Sequence, residues 1–427
     1  MKIEPARALV GHVAVPGDKS ISHRAVLLSA VADGESEIAG FGRSGDTDST
    51  LAAVRALGVE VDEPDVDVVR VHGRGMRGLV EPPQPVDCGN AGTLMRLLAG
   101  LLAGHGGRFE LTGDESLSRR PMERVAAPLR ELGARVETTD GHAPLLVEGG
   151  GLKAIRYELP VASAQVKSAI LLAGLYADGR TIVVEPTPTR DHTELMLEQS
   201  GIRVTRGGGE ISLRPPARIL PGRIEVPGDF SSAAPLIVAA TLLPGSELYL
   251  HGVGVNPTRT GLLDVLTRMQ ARVTLFNRRR LGGEPVADVE VRSASLVATH
   301  VRPDEVPWMV DELPLVALLA GFARGETVIE GVEELRVKET DRVEAVKDVL
   351  RPLGIRVSAD DDRLVVVGVP SRPKGGGVAR SEGDHRIAIL GAVAGLVSRE
   401  GVRIEDAEAA AISFPGFFEL LDSVTKR

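Results

Sequence analysis

The sequence predicts an α/β protein of two domains, each built from three repeats of a βαβαββ unit. The segment VPGDKSIS at 15–22 returns as VPGDFSSA at 226–233, about half of the 427-residue chain later. A shorter pattern recurs within each half: a short polar segment, a helix rich in small residues, a Gly turn and a β-branched strand. Since self-similarity at a regular interval marks repeated structural units, the sequence predicts six units, which begin near Ser22, Asn90, Ser163, Ser231, Asp311 and Asp384.

Five of these units continue with a second helix that ends in a short step into another strand. Gly after a helix supplies the left-handed cap, and the alternating apolar residues that follow are typical of a strand. The sixth unit is predicted to stop after its last helix, at SFPGFFELLDSV (413–424). The five steps read LGVEV (57–61), LGARV (132–136), SGIRV (200–204), MQARV (269–273) and LGIRV (353–357).

The two copies of VPGD also predict where the chain crosses between domains, near 15–20 and again near 226–230. The first domain is then an insertion, 20–228, and the second domain combines 1–19 with 229–427. Two neighbouring crossings make a hinge, so we expect a cleft between the domains that closes on a ligand.

Composition excludes several classes of protein. Hydrophobic content of 43% and charged content of 26% are typical of a soluble globular chain, and the net charge of −9 gives no support to nucleic-acid binding. Cys88 is the only cysteine, which excludes an internal disulfide and a cysteine-based metal cluster. The nine histidines lack metal-ligand spacing, so we expect no metal site. With no apolar run of membrane-spanning length and no secretion signal, we expect a cytoplasmic protein without a membrane partner.

The junction VPGDKSISHR (15–24) places Lys19, Ser20, Ser22 and Arg24 where a strand passes into a helix. Unpaired backbone N–H groups and the helix dipole make such a terminus positive, so added cations favour a bound anion there. An ordinary capped helix, with both cations extended into water, explains the same residues equally well. This stretch alone leaves the two interpretations open.

Polar residues at the starts of the other first helices favour the anion site. If the repeats share one fold, these starts lie at one end of each domain and form an electrostatic funnel for an anion. The starts are Asn90-Ala91-Gly92-Thr93, Ser163-Ala164-Gln165, Asp311 and Asp384-His385-Arg386.

Further cations join this set, and each has an ordinary alternative. Arg119 and Arg120 precede a proline and are predicted to be extended. Arg190 stands four residues before Glu194, which would also suit an i,i+4 salt bridge. If residues 338–342 are helical, Lys338 and Arg342 share one face, where their repulsion favours an anionic ligand, although Glu339 and Asp341 could neutralise them.

Eight motifs in order over essentially the whole chain resemble the 5-enolpyruvylshikimate-3-phosphate synthase (EPSP synthase) family, in particular its class II branch. The resemblance implies the enolpyruvyl transferase fold, with two domains of three βαβαββ units and the active site in the interdomain cleft. The motifs are GDKSISHR (17–24), GNAGTLMR (89–96), SRRPM (118–122), SAQVKSA (163–169), RDHTE (190–194), NPTR (256–259), RVKETDR (336–342) and GDHRIA (383–388).

The resemblance implies transfer of the enolpyruvyl group of phosphoenolpyruvate to the 5-hydroxyl of shikimate 3-phosphate, with release of phosphate, as a step toward chorismate and the aromatic amino acids. It implies a monomer that needs no cofactor and that glyphosate inhibits. Asp311, Glu339 and Lys19 would be catalytic. Shikimate 3-phosphate would be held by Lys19, Ser20, Arg24, Ser163, Ala164, Gln165, Arg190, Asp311 and Lys338. Phosphoenolpyruvate would be held by Lys19, Asn90, Gly92, Arg120, Gln165, Arg342, His385 and Arg386.

Two departures from the family pattern and two rival functions accompany this interpretation. Many members have a Lys where this chain has Ile412, and the first branch has a Ser in place of Ala164 and a Tyr in place of Arg190. UDP-N-acetylglucosamine enolpyruvyl transferase shares the fold, but that family usually has Lys-Asn where this chain has Lys19-Ser20, and Cys88 is not at the position of its loop cysteine. A non-catalytic anion-binding protein of the same fold would lack the need for Asp311 and Glu339, which are both present.

Overall fold

A computed structural model describes residues 1–369 and 371–427, and this part of the chain divides into two compact units. The inserted unit comprises Gly17–Pro227 and Leu281–Glu284, and the flanking unit comprises Met1–Pro16, Gly228–Arg280 and Pro285–Arg427. Each unit has its own hydrophobic core of buried aliphatic side chains. No helix in 1–369 or 371–427 is long and apolar enough to cross a membrane.

The first helix of every repeat forms within a few residues of its predicted start. The helices are α1 (Lys19–Ala30), α2 (Gly45–Ala56), α3 (Gly92–Leu102), α4 (Glu115–Ser118), α5 (Glu123–Glu131), α6 (Ala164–Gly174), α7 (His192–Gln199), α8 (Phe230–Leu242), α9 (Gly261–Arg268), α10 (Leu313–Phe322), α11 (Arg342–Leu350), α12 (His385–Val397) and α13 (Phe417–Val424). Short 3₁₀ helices span Pro303–Trp308, Glu333–Val337, Arg351–Leu353 and Ala407–Ile412.

Strands alternate with these helices in the predicted βαβαββ order. The strands are β1 (Lys2–Ile3), β2 (Ala8–Ala14), β3 (Glu35–Ala39), β4 (Glu60–Asp65), β5 (Val68–His72), β6 (Val86–Asp87), β7 (Arg108–Thr112), β8 (Arg135–Thr139), β9 (His142–Glu148), β10 (Arg156–Glu158), β11 (Thr181–Val184), β12 (Val204–Gly207), β13 (Glu210–Leu213), β14 (Arg223–Glu225), β15 (Glu247–Gly254), β16 (Arg272–Leu281), β17 (Glu284–Arg292), β18 (His300–Val301), β19 (Glu326–Glu330), β20 (Arg356–Ala359), β21 (Arg363–Val367), β22 (Gly377–Arg380), β23 (Val402–Glu405) and β24 (Thr425–Lys426).

The described residues of the inserted unit form three four-stranded sheets with one topology. Their strand orders are β6-β7-β9-β8, β10-β11-β13-β12 and β14-β3-β5-β4. In each sheet the first pair is parallel and the remaining pairs are antiparallel. Helix α3 connects β6 to β7 and helix α6 connects β10 to β11, whereas β14 pairs with β3 from a distant part of the chain. A hairpin connects the last two strands of each sheet.

The described part of the flanking unit has the same plan with one variation. Its sheets are ordered β18-β19-β21-β20, β16-β17-β15-β2-β24 and β1-β23-β22. The sequence analysis expected the sixth repeat to stop after its last helix, but the structure continues it with one more strand. Strand β24 follows α13 and pairs antiparallel with β2 at Leu9↔Thr425, a two-residue strand that is too short for the alternating pattern to reveal.

The repeated VPGD segments exchange strands between the first and fourth repeats. Strand β2 precedes the first repeat but pairs parallel with β15, and β14 precedes the fourth repeat but pairs parallel with β3. The backbone N–H of Asp18 donates to Pro227 O at 2.8 Å, and that of Asp229 donates to Pro16 O at 2.8 Å. Each copy of VPGD therefore leads into a first helix, α1 or α8. Its proline carbonyl accepts a hydrogen bond from the backbone N–H of the aspartate in the other copy.

One local prediction about a charged segment is wrong, and the helical condition of another is not met. Arg119 is not extended, because Asp114 caps the short helix α4 by accepting a hydrogen bond from Leu117 N at 2.7 Å, and Arg119 ends that helix with φ −88° and ψ −12°. Lys338 and Arg342 do not share a helix face, since Lys338 is extended after the 3₁₀ helix Glu333–Val337 and α11 begins only at Arg342.

The step after the second helix has the predicted left-handed residue in all five repeats. The residue has φ +89° at Gly58, +103° at Gly133, +82° at Gly201 and +87° at Gly354. The fourth repeat has Gln270 there, with φ +65°. A residue with a Cβ is disfavoured in the left-handed region by about 1 kcal/mol or more. Comparison of the five repeats therefore identifies Gln270 as a strained residue.

We predict that Gln270→Gly stabilises the protein by about 0.5–1 kcal/mol, because Gly removes the strain at an exposed site. The matched control is Gly354→Gln at the equivalent step of the fifth repeat, which should destabilise by a similar amount. Denaturant unfolding of the three proteins measures both effects. A Gln270→Gly variant no more stable than the parent would contradict the strain.

Candidate active site

Helix α1 begins with a cap and a salt bridge. Asp18 Oδ1 accepts a hydrogen bond from Ile21 N at 2.9 Å, and Lys19 Nζ lies 2.6 Å from Asp46 Oδ2. Asp46 was not singled out from the sequence, because it lies in the first turn of α2, where an acidic residue is ordinary. Lys19 is therefore held at the helix start by a carboxylate and does not extend freely into water.

Arg24 is buried in the second turn of α1, which rules out the surface position that an ordinary capped helix would give it. Its Nε donates to Thr193 Oγ1 at 2.7 Å, Nη1 to Ser20 O at 2.8 Å and Nη2 to Ser168 Oγ at 3.0 Å. Burial lowers the pKa of Arg24 to about 10, against the opposing charge of Glu194, and the nearby Arg190 lowers it further. Arg24 thus remains protonated at neutral pH, and its charge lies near that of Arg190.

The start of α6 adjoins this arginine. Ser163 caps the helix by accepting from Val166 N at 3.4 Å, and Ala164 O accepts a hydrogen bond from Ser168 Oγ at 2.7 Å. Ser168 also lies 2.7 Å from Thr193 Oγ1. Hydroxyl groups therefore link Arg24, α6 and α7.

The i,i+4 alternative for Arg190 and Glu194 does not apply, because α7 begins at His192 and Arg190 precedes it. Glu194 is buried and pairs with Lys167, whose Nζ lies 2.7 Å from Glu194 Oε1 and 3.1 Å from Glu185 Oε1. Burial raises the pKa of Glu194, although Lys167 opposes this. The buried ion pair holds α6 against the segment that carries Arg190.

The start of α3 gathers the residues that the resemblance assigns to phosphoenolpyruvate. Arg120 Nη2 donates to Asn90 Oδ1 at 2.5 Å, and Asn90 Nδ2 donates to Asp114 Oδ2 at 2.7 Å. A Cβ on Gly92 would lie 3.2 Å from Arg120 Nη1. The guanidinium thus lies close to the backbone at Gly92, and it would have to shift by a few tenths of an ångström to accommodate a Cβ there.

Arg96 belongs to the same cluster and was missed in the sequence analysis. Its Nη1 donates to Gln165 Oε1 at 2.5 Å, and Gln165 Nε2 donates to Thr93 Oγ1 at 2.9 Å. Arg96 ends the GNAGTLMR motif four residues after Gly92, so helical spacing places both on one face of α3. That spacing was the available signal.

A second cluster, in the flanking unit, surrounds the buried Arg342. Its Nε lies 2.8 Å from Asp384 Oδ2, its Nη2 lies 2.6 Å from Glu339 Oε2, and its Nη1 lies 3.6 Å from Asp311 Oδ1. Burial opposes its charge, but the three carboxylates prevail and raise the pKa of Arg342. Nη1 donates no hydrogen bond to any residue in the described ranges, so it is available to an anionic ligand beside Asp311.

The start of α12 carries Arg386 and His385 next to this cluster. Asp384 caps α12 by accepting from Arg386 N at 2.8 Å, and His385 is buried. Arg386 Nη1 donates to Ser231 O at 3.3 Å, and its Nε has no hydrogen-bond partner among the described residues. Arg386 therefore links the starts of α12 and α8.

The start of α8 contains a second buried network that sequence reasoning missed. Arg259 Nη2 lies 2.6 Å from Ser231 Oγ and 3.2 Å from Asp229 Oδ1, and the Ser231 hydroxyl donates to the buried Glu312. Arg259 ends the NPTR motif, which was quoted for the family resemblance but was assigned no role. Its signal was a polar residue that follows a turn in a largely apolar stretch.

Lys338 pairs with a glutamate of the preceding 3₁₀ helix, and Ile412 packs as an apolar residue. Lys338 Nζ lies 3.4 Å from Glu334 Oε1, and no ion pair between Lys338 and Asp311 is present in the described part of the chain. Ile412 is partly buried against the core of the flanking unit at the end of the 3₁₀ helix Ala407–Ile412. It packs as an apolar residue there and offers no cation to a ligand.

Outside these clusters, one group in the described residues has the composition of a metal site. Glu60, Asp62 and His72 lie on the neighbouring strands β4 and β5, with His72 Nε2 2.9 Å from Asp62 Oδ2. The hydrogen bond to Asp62 raises the pKa of His72. A cross-strand ion pair on an exposed surface accounts for this arrangement.

Comparison with known structures first identifies the fold. EPSP synthase from Acinetobacter baumannii is 43% identical and covers 99% of this chain and 97% of its own, with a TM-score of 0.88. The enolpyruvyl transferase NikO from Streptomyces tendae is 19% identical, with a TM-score of 0.79 over 99% of this chain and 96% of its own. The predicted fold is therefore confirmed as the two-domain fold of the enolpyruvyl transferases.

Comparison with sequence families then gives the particular family. The model described as EPSP synthase (3-phosphoshikimate 1-carboxyvinyltransferase) matches residues 3–421. The 3-phosphoshikimate 1-carboxyvinyltransferase of Acidithiobacillus ferrooxidans is 50% identical over 97% of this chain and 95% of its own length. That of Salinibacter ruber is 50% identical over 99% of both. The chain belongs to the EPSP synthase family.

The buried His23 gives a prediction about pH and stability. Its Nδ1 lies 2.6 Å from Thr50 Oγ1, and burial lowers its pKa from 6.5 to about 3, with Lys19 and Arg24 adding to the shift and Asp46 and Asp18 opposing it. His23 is therefore neutral in the folded protein at pH 5, while the unfolded chain takes up a proton there. The stability linked to this histidine is present above pH 6.5 and is lost as the pH falls toward 3.

We expect the parent to lose about 2 kcal/mol more stability than His23→Gln between pH 7 and pH 5, at 1.36 kcal/mol per pH unit below 6.5. Denaturant unfolding at both pH values measures the difference, with His142→Gln at a partly exposed histidine as the control that should follow the parent. Equal losses in parent and His23→Gln would show that His23 does not bind a proton on unfolding.

Proposed function

We propose that this chain transfers the enolpyruvyl group of phosphoenolpyruvate to the 5-hydroxyl of shikimate 3-phosphate and releases phosphate. The proposal depends above all on the Arg342 cluster, where a buried guanidinium with an available N–H lies 3.6 Å from the Asp311 carboxylate. An anion-binding group beside a base is what attack by an alcohol on an anionic enol ester requires.

The proposed reaction proceeds by addition and elimination. Asp311 takes the proton of the 5-hydroxyl as its oxygen bonds to the carbon that carries the phosphate, and a proton adds to the methylene carbon. The bond between the attacked carbon and the phosphate oxygen then breaks, which releases phosphate. The former methylene carbon gives back a proton at the same time, and the double bond forms again. Glu339, assisted by Lys19, transfers the proton at the methylene carbon.

Burial and pairing support the distinct roles of the two acids. The Asp311 side chain retains 22% exposure, which leaves it accessible to a substrate hydroxyl, while Glu339 retains 14% and is bonded to Arg342. Asp384 has no exposure and is fully engaged in capping α12 and binding Arg342. We therefore assign Asp384 a positioning role.

The cations of the inserted unit support binding of shikimate 3-phosphate by Lys19, Ser20, Arg24, Ser163, Ala164, Gln165 and Arg190, with Asp311 and Lys338 from the flanking unit. Arg24 uses three of its five N–H groups within the protein, which leaves two for a phosphate. Phosphoenolpyruvate is assigned to Lys19, Asn90, Gly92, Arg120, Gln165, Arg342, His385 and Arg386, and we add Arg96.

The reaction itself is tested by measuring phosphate release from phosphoenolpyruvate with two acceptors. Release with shikimate 3-phosphate and none with UDP-N-acetylglucosamine is expected, and the family match does not favour the second acceptor. Absence of release with either would leave only the anion-binding alternative. We also propose a cytoplasmic monomer, in keeping with the single buried Cys88, and sedimentation measures its oligomeric state.

We predict that Asp311→Asn lowers turnover by about 10²-fold or more, because it removes the base but keeps the shape of the side chain. Binding of shikimate 3-phosphate should change far less. The control is Asp304→Asn, which alters an exposed carboxylate of the preceding 3₁₀ helix and should leave turnover unchanged. Near-normal turnover of Asp311→Asn would remove this residue from the mechanism.

Gly92 gives a prediction about glyphosate, which we expect to occupy the phosphoenolpyruvate site and to need slightly more room. The methyl group of Gly92→Ala would lie 3.2 Å from Arg120 Nη1 and 3.5 Å from Arg96 Nη1, so it must displace a guanidinium. We expect the parent to be sensitive and the variant to lose about tenfold to a hundredfold more affinity for glyphosate than for phosphoenolpyruvate.

The glyphosate inhibition constant and the phosphoenolpyruvate KM measure this difference. Gly106→Ala is the matched control, because its added Cβ meets no atom within 4 Å. Equal shifts of both constants in Gly92→Ala would show that this part of the site does not discriminate.

A further inference from the structure

A basic cavity in the inserted unit contains none of the residues assigned to the substrates. It has a volume of about 690 Å³ and lies between the end of α7, the hairpin β12–β13 and the segment 214–220. Its cationic lining consists of Arg180, Arg203, Arg214 and Arg218. A volume of this size suits a ligand as large as a nucleotide.

The arginines of this cavity are not compensated by the protein. No Asp or Glu is among the described residues that line it, and Arg203, Arg214 and Arg218 form no ion pair within the described ranges. Two acidic residues on the adjoining elements are already neutralised, since Glu210 of β13 pairs with Arg156 and Glu198 of α7 pairs with Arg206. Four exposed arginines therefore line one cavity of a protein whose net charge is −9.

One wall of the cavity is organised by a buried hydrogen bond. Arg180 Nε and Nη2 donate to Ser212 Oγ at 3.0 and 2.8 Å, and Ser212 is 1% exposed. The Ser212 oxygen thus acts as an acceptor twice, and its own proton is donated to no acceptor in the described structure. This arrangement fixes the Arg180 guanidinium against strand β13.

Part of the remaining lining is apolar. Ile202 and Leu213 are buried, Leu220 is 46% exposed, and Pro215-Pro216 restricts the covering segment. The carbonyl end of α7 at Ser200 and Gly201 contributes a partial negative charge of about half a unit, which four guanidinium groups outweigh. The cavity therefore combines a strong positive charge with an apolar surface.

We propose that this cavity is a second ligand site that binds a small polyphosphate, of the size and charge of a nucleoside triphosphate. Guanidinium groups bind phosphate oxygens in pairs, and the apolar wall formed by Leu220 and the two prolines suits a base. The site is separate from the proposed active site, so it does not depend on the assigned reaction.

Calorimetric titration with inorganic tripolyphosphate and with ATP, both without Mg²⁺, tests the proposal on the full chain. We expect both to bind the parent, and Arg203→Gln/Arg214→Gln/Arg218→Gln to weaken binding by at least about tenfold. The charge-matched control is Arg272→Gln/Arg278→Gln/Arg356→Gln, which alters exposed arginines of the flanking unit and should bind as the parent does. Tighter binding of ATP than of tripolyphosphate would assign the apolar wall to the base, and equal affinity would assign the site to the polyphosphate alone.

A second pair of variants keeps all four arginines. Ala217→Glu adds a carboxylate to the exposed part of the lining and should weaken both ligands, while Ala217→Gln has the same shape without the charge and should not. Phosphate release with shikimate 3-phosphate should be unchanged in both. Absence of binding to the parent at millimolar ligand, equal weakening in the two triple variants, or equal affinities of Ala217→Glu and Ala217→Gln would each overturn the proposal.

Discussion

A buried aspartate at the start of a first helix is the constraint that organises both units. Asp18, Asp229 and Asp384 cap α1, α8 and α12, and each is less than a tenth exposed. A buried carboxylate is costly unless it is paired. Arg259 compensates Asp229, and Arg342 compensates Asp384. The caps that begin α8 and α12 therefore also determine where buried arginines lie, and so where an anionic ligand finds donors.

The Arg342 cluster shows how this constraint becomes chemistry. One guanidinium faces three carboxylates, so the described group carries an excess of negative charge although its centre is a cation. Asp384 accepts hydrogen bonds from Nε and Nη2 of Arg342, and Glu339 accepts another from Nη2. The Nη1 group beside Asp311 remains, and it is where binding of an anion and removal of a proton can occur together.

The fold could be predicted from the sequence because the same pattern of helices and strands recurs in six repeats. Six helix starts and five left-handed steps reinforced one another, and even Gln270 could be assigned by comparison with its four Gly equivalents. Side-chain partners were harder, since they depend on contacts between distant segments. Asp46, Thr193 and Ser168 look ordinary in their own helices, and only the fold brings them to Lys19 and Arg24. The prediction that Arg119 is extended was wrong because the Asp114 cap begins a short helix that ends at Arg119, and this outweighs the extended conformation that a following proline favours.

The two units apply the same repeat to different electrostatics. In the inserted unit, Arg24 donates to the Thr193 and Ser168 hydroxyls, Arg96 donates to the Gln165 amide oxygen, and Arg120 donates to the Asn90 amide oxygen. In the flanking unit, Arg342 and Arg259 lie against the carboxylates of Asp384, Glu339 and Asp229. Neutral partners favour the binding of phosphate, whereas carboxylate partners provide the proton acceptors that the reaction needs. In the proposed function Arg342 combines the two, because its Nη1 lies beside Asp311 while its other nitrogens are held by Asp384 and Glu339.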